Sequence, residues 1–289
     1  MTQAISTPLR TPAMNNDYAH SARRFWVMII GAIFVSISCA VSAAPPKAAA
    51  VKFDGTAALN KAIRQPMLAE RITKSFTLIG QKVLETRSKR QMEDAVKEFE
   101  SALKDLQATA PTPDIKDNYQ LLEQLFDEYK SITAKPVSLT NAKELAEQNE
   151  ELVWISTKGA MLMAAHVKSA RNDLITTAGD VRILTQRIAK LYLFRSWGIR
   201  SDVIANDLKK ADADYRTDIA RLLAAPQNTA QIKSELALAE TQYLFLKQAI
   251  ERLNANKTST TELEHVTKAC DNILEVMERV TKLYEAVKA

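Results

Sequence analysis

The sequence predicts an all-α protein of two tandem up-and-down four-helix bundles, and three observations carry that expectation. Only six glycines and nine prolines occur in 289 residues, while Ala, Leu, Lys, Glu and Gln dominate, a composition rich in helix formers. Apolar and polar residues rarely alternate long enough for a strand, and runs of Val, Ile and Thr are short, so no sheet is expected. The third observation is an internal repeat. Residues 59–76 (LNKAIRQPMLAERITKSF) return as residues 175–192 (ITTAGDVRILTQRIAKLY) without a gap. Identities fall at Ala62/Ala178, Leu68/Leu184, Arg71/Arg187, Ile72/Ile188 and Lys74/Lys190. A repeat on this scale sets the domain count at two, each of roughly 115 residues.

The first segment reads as targeting. Arg10, Arg23 and Arg24 precede an uncharged run from Phe25 to Ala43, and Val41-Ser42-Ala43 offers the small residues that signal peptidase needs. Residues 1–43 are therefore expected to be a Sec-type signal peptide cut after Ala43, which would make the protein periplasmic. The alternative keeps Phe25–Ala43 as an inner-membrane anchor, since the run is near the roughly 20 residues that span a bilayer. Cleavage removes Cys39 and leaves Cys270 as the one thiol, which excludes an intrachain disulfide and reads as a small buried apolar residue.

Residues 44–53, with Pro45-Pro46, form a linker. The first bundle, residues 54–170, is expected to begin near Asp54 or Thr56. Its first helix should run through the repeat to about Arg87, with Pro66 costing or kinking it. Gln91 to Ala108 is the second helix, ended by Pro111-Thr112-Pro113. Asp114 to Thr133 is the third, carrying Tyr119, Leu122, Leu125, Phe126 and Tyr129 at helical spacing, and Thr140 toward His166 is the fourth. Short connections between helices of this length make an up-and-down bundle.

The second bundle, residues 171–289, repeats the plan: Asp173–Trp197, Ser201–Ala224, Asn228–Asn254 and Thr260–Val287. Aromatic positions match, with Phe99 over Tyr215 and Phe126 near Tyr243, and Asn149-Glu150 falls near Asp271-Asn272. Neither glycine nor proline separates His166 from Leu174, so the two bundles either share one continuous helix or are parted by a cap at Asn172-Asp173.

On the repeat helix of the second bundle, Leu174, Val181, Leu184, Ile188 and Leu191 form an apolar arc, extended by Ile175, Ala178, Ala189 and Leu193. Arg182 lies on its flank. It either lays its stem on the core edge and puts its charge in water or on a carboxylate, or turns its planar fork into an interhelical pocket to take a small oxyanion. Ile183 and Phe194 face the other way and offer a second packing surface to the other bundle or to a partner subunit.

The segment Ile175-Thr-Thr-Ala178-Gly179-Asp-Val-Arg182-Ile183-Leu184-Thr185-Gln186-Arg187-Ile188-Ala189-Lys190 resembles the signature of the N-terminal sensor domain of type IV pilus methyl-accepting chemotaxis transducers (PilJ-type), related to NarX-type nitrate sensors. The resemblance implies extracytoplasmic four-helix sensor modules, with an anion held at Arg182 beside Ala178 and Gly179 on a two-fold helix seam. Gln186, Arg187 and Lys190, with Arg71 and Lys74 of the first copy, are the structural part of the motif. The first copy departs from it: Pro66 stands for the arginine and Ile63 for the glycine, although Arg64 lies close by.

The net charge of +5 is modest and interleaved with acids, which argues against nucleic acid. No HExxH, CxxC or glycine-rich phosphate loop appears, and there is no pair of buried Glu-x-x-His motifs of the ferritin-like kind, so no catalysis, cofactor or metal is expected. The leading expectation is a sensor-domain protein that binds a small ligand, nitrate or another oxyanion, and signals through a membrane partner or as a homodimer. The alternative is a structural or protein-interaction module with no small ligand.

Overall fold

The computed structural model describes residues 53–168, 171–199, 202–255 and 259–287. The segment expected to be an export signal or anchor (Phe25–Ala43), Cys39 and the expected linker as far as Lys52 lie outside the described residues. Eight helices make up the rest, and no strand occurs among the described residues: α1 Gly55–Gly80, α2 Glu85–Ala108, α3 Pro113–Thr133, α4 Leu139–His166, α5 Asn172–Ser196, α6 Asp202–Leu223, α7 Ala230–Ala255 and α8 Thr260–Ala286. The all-α expectation holds.

Local chemistry sets most boundaries. Asp54 caps α1 by accepting from the backbone N–H groups of Thr56 and Ala57, both at 3.1 Å. Thr112 caps α3, with Pro113 at its first position, where a missing N–H costs nothing. Ser138 caps α4 and Ser259 caps α8, the latter accepting from the backbone of Glu262 in the Ser-x-x-Glu spacing of a capping box. α1 passes through Pro66 without a break.

One boundary corrects the sequence reading. α1 stops at Gly80, well before Arg87, and α2 starts at Glu85, before Gln91. Lys82 and Leu84 take left-handed backbone angles in the tight turn between them. Lys82 is the left-handed stop: its N–H donates to Ile79 O and that of Val83 to Leu78 O, both at 3.0 Å. Gly80, in the last turn, is pressed against Trp197, where a Cβ would sit 2.0 Å from the indole. Between the halves, α4 ends at His166 and α5 begins at Asn172, so the helix is not shown as continuous. Arg171 Nη1 instead donates to the carbonyls of Glu285 and Val287 at the end of α8.

The helices fall into two sets of four with the same packing order. α1 lies against α2 and α4, with α3 on α4; α5 lies against α6 and α8, with α7 on α8. Each set carries the same aromatic stack: Phe99 on Phe126 at 4.0 Å between ring centres, and Tyr215 on Tyr243 at 4.5 Å. The two sets meet along α1 and α5, and residues 53–289 form one compact unit. Leu191, Phe194 and Leu208 make a small separate apolar cluster against Ala146 of α4, so the surface expected at Phe194 is covered by the other half of the chain. Cys270 is fully buried, and burial pushes its thiol up to about 12.

Candidate functional site at the α1–α5 seam

Partners rise together along the two repeat helices. Ile63 meets Gly179, Glu70 meets Arg187 and Lys190, and Gly80 meets Trp197. α1 and α5 therefore run parallel and nearly in register, with repeat-equivalent residues facing each other across an approximate two-fold axis. Such a helix is buried almost all round, which explains why the seam stripe of α5 is polar while its other faces carry the apolar arc.

The helices approach closely at Gly179, where a Cβ would lie 2.0 Å from Ile63 Cγ2. Ile63 is the repeat equivalent of Gly179, so the seam is a knob from one copy in a hole of the other. Ala178 beside it is fully buried.

Arg182 sits one turn further along and is 1% exposed. The reading that left its charge at the core edge, in water or on a carboxylate, is corrected: packing of α1 over the flank of α5 closes that edge. Nη2 donates to Asn60 Oδ1 at 2.9 Å, and Nε is buried without a partner among the described residues. Burial, with Arg64 nearby, pulls the guanidinium down to about 10. The carboxylates of Glu278, Glu285 and Asp180 act on it only from a distance. Arg64 itself is bound to Glu98 and, at 2.7 Å, to Glu278. Its charge therefore stays raised above the ordinary arginine value despite burial.

The remaining motif residues build two ionic centres below Arg182. Lys190, fully buried, reaches Glu70 Oε2 at 2.7 Å and Glu150 Oε1 at 2.9 Å. The Asn149 amide oxygen completes the shell at 2.8 Å in the orientation that also satisfies its nitrogen. Arg187 pairs with Glu70, Glu150 and Asp207. Against the cost of burial, these two cations hold the Glu150 carboxyl down to about 2. Lys74, also fully buried, reaches Asp271 at 2.5 Å, and Arg87 at 3.0 Å shares that carboxylate. Burial opposes ionisation of Asp271, but Lys74 overrides it and keeps the carboxyl below its usual value.

Each motif lysine is thus tied across the seam, Lys74 to α8 and Lys190 to α1. The sequence singled out the basic members and missed Glu70, Glu150, Asp207 and Asp271. Glu70 was readable as the counterpart of Gln186 in the repeat; the others come from separate helices, with no spacing rule linking them to the lysines. Gln186 is fully buried with both amide ends unpartnered among the described residues.

The class these features define is an all-helical protein whose repeated helices form a parallel, charge-crossed seam. No protein-family model, curated protein or solved structure matches the chain.

Proposed function

We propose that this chain is an exported sensor-type helical module of PilJ/NarX-like character that takes a small oxyanion at Arg182 and passes the bound state to a membrane partner. One observation carries the reading: Arg182 is a buried guanidinium whose near partner is the neutral Asn60 and whose Nε is unpartnered among the described residues. A buried charge without a carboxylate is costly, and a planar anion accepting from Nε and Nη would relieve that cost. Isothermal titration of sodium nitrate, nitrite and acetate into the purified protein tests it. Saturable heat is expected from at least one salt and is lost in Arg182→Met; heats equal in the two proteins sink the site. N-terminal sequencing of the exported protein should begin at Ala44, and a start at Met1 favours the membrane anchor.

A second reading, a structural or interaction module without a ligand, draws on the Ile63 side chain that fills the hollow at Gly179. It expects crosslinking to capture a protein partner and titration to give no specific heat.

A further inference from the structure

The two ionic centres of the seam are repeat-equivalent, yet they are not equally paired. Arg187 has three carboxylates, Glu70 at 2.8 Å, Glu150 at 2.8 Å and Asp207 at 3.2 Å. Around its equivalent Arg71, Gln186 stands in the place of Glu70 and Gln91 in the place of Asp207. Asp271 stands where the other centre has Asn149, and it is already shared by Lys74, Arg87 and, at 3.1 Å, Gln91 Nε2. Lys74 and Arg87 therefore pair with one carboxylate, on which Arg71 acts only from a distance, whereas at the other centre two cations meet three.

Several unmet polar atoms lie on the two repeat helices at this level. Arg71 Nε, Ser75 Oγ and both ends of the Gln186 amide are buried without a partner among the described residues. Gln186 is 0% exposed, and its equivalent Glu70 is the residue that crosses the seam to Arg187 and Lys190. Ser75 replaces the bulkier Leu191 of the second copy. Arg71 itself is partly exposed, and the Arg87 side chain is 42% exposed, so the centre is reached from the surface between α1, α2 and α8.

We propose that the Arg71 centre is a second anion site, taking a small oxyanion of nitrate or carboxylate type in place of the carboxylates the second copy supplies from Glu70 and Asp207. The guanidinium fork offers two donors to two oxygens. Ser75, one turn along α1 from Arg71, brings a hydroxyl donor to the same face, and Gln186, the repeat counterpart of Glu70, brings an amide donor from α5. The site is distinct from Arg182 and does not depend on it.

The test is a titration of the Arg71 Nε–Hε NMR cross-peak, identified by its loss in Arg71→Lys, with sodium nitrate and sodium acetate against sodium chloride at equal ionic strength. A saturable shift specific to nitrate or acetate is expected, and it should persist in Arg182→Met. In Gln186→Glu, where the side chain brings its own carboxylate, binding should weaken at least tenfold while the melting temperature in chloride rises. A shift matched by chloride, or none, overturns the site. So does undiminished binding in Gln186→Glu, or a Gln186→Glu protein less stable than the parent, since the centre would then have no need of an anion. Loss of the shift in Arg182→Met assigns the anion to the Arg182 site instead.

Discussion

α1 and α5 descend from one pattern and lie side by side, so each substitution in one copy is answered by the other. Gly179 leaves a hollow in α5 and Ile63 of α1 enters it; two isoleucines there would collide and two glycines would leave a void. Lys190 is met by Glu70 from α1, whereas Lys74 is met by Asp271 from α8. The second copy keeps the arginine at position 182, and the first carries Pro66 in its place. Duplicated helices that pack on each other can diverge only in complementary pairs, because close packing and buried charge punish a change made on one side alone.

That comparison can be strained hardest at the lysines. Asp271→Ala leaves Lys74 fully buried with no other carboxylate in its ion pair, and a loss of about 3–5 kcal/mol in urea unfolding is expected. Glu70→Ala should cost less, about 1–3 kcal/mol, because Lys190 retains Glu150 and Asn149. The reverse order would show that the two centres are not built as described. Next comes the knob and hole. Gly179→Ala should destabilise by about 1–3 kcal/mol through overpacking, despite the better helix propensity of alanine. Combined with Ile63→Ala, it should cost less than the two single changes added together, and strict additivity in the double-mutant cycle would break the contact.

A pH effect follows from Asp180, on the side of α5 away from the seam. Burial, then Asp218 and Asp214, push its carboxyl up to about 8, with Arg182 and Arg221 opposing. The folded state therefore holds this proton more tightly than the unfolded chain, whose aspartate titrates near pH ~4. Its contribution to stability is complete below that pH and fades as pH rises through about 8. Asp180→Asn should flatten the fall in melting temperature between those values; an unchanged slope places the titration elsewhere. The smallest effect belongs to surface pairs. Removing Lys89, which pairs with Glu85 on α2, or Lys210, which pairs with Asp214 on α6, should change stability by no more than about 0.5 kcal/mol in either half.

Much of the fold was legible. The start at Asp54 and the proline breaks before α3 and α4 are local signals that survive folding unchanged. The end of α1 carried no such signal: the left-handed turn that stops it is made at Lys82 and Leu84, where no glycine marks it. At the site, the repeat exposed Arg182, Gly179 and the motif lysines by comparing a chain with itself. It was silent on whether Arg182 faces water, because helical spacing places a residue on a face without saying what covers that face.

Sequence alone determined the all-helical composition, the doubling of the plan and the asymmetry of Pro66 against Arg182, each a property of local propensity or self-comparison. Only the tertiary structure decided that α1 and α5 lie parallel against each other. The parallel seam turns Ile63 and Gly179 into a fitted pair and buries Arg182 beside Asn60. The reason is distance: charges and cavities take their meaning from neighbours within a few ångströms, and those neighbours come from helices far apart in the chain.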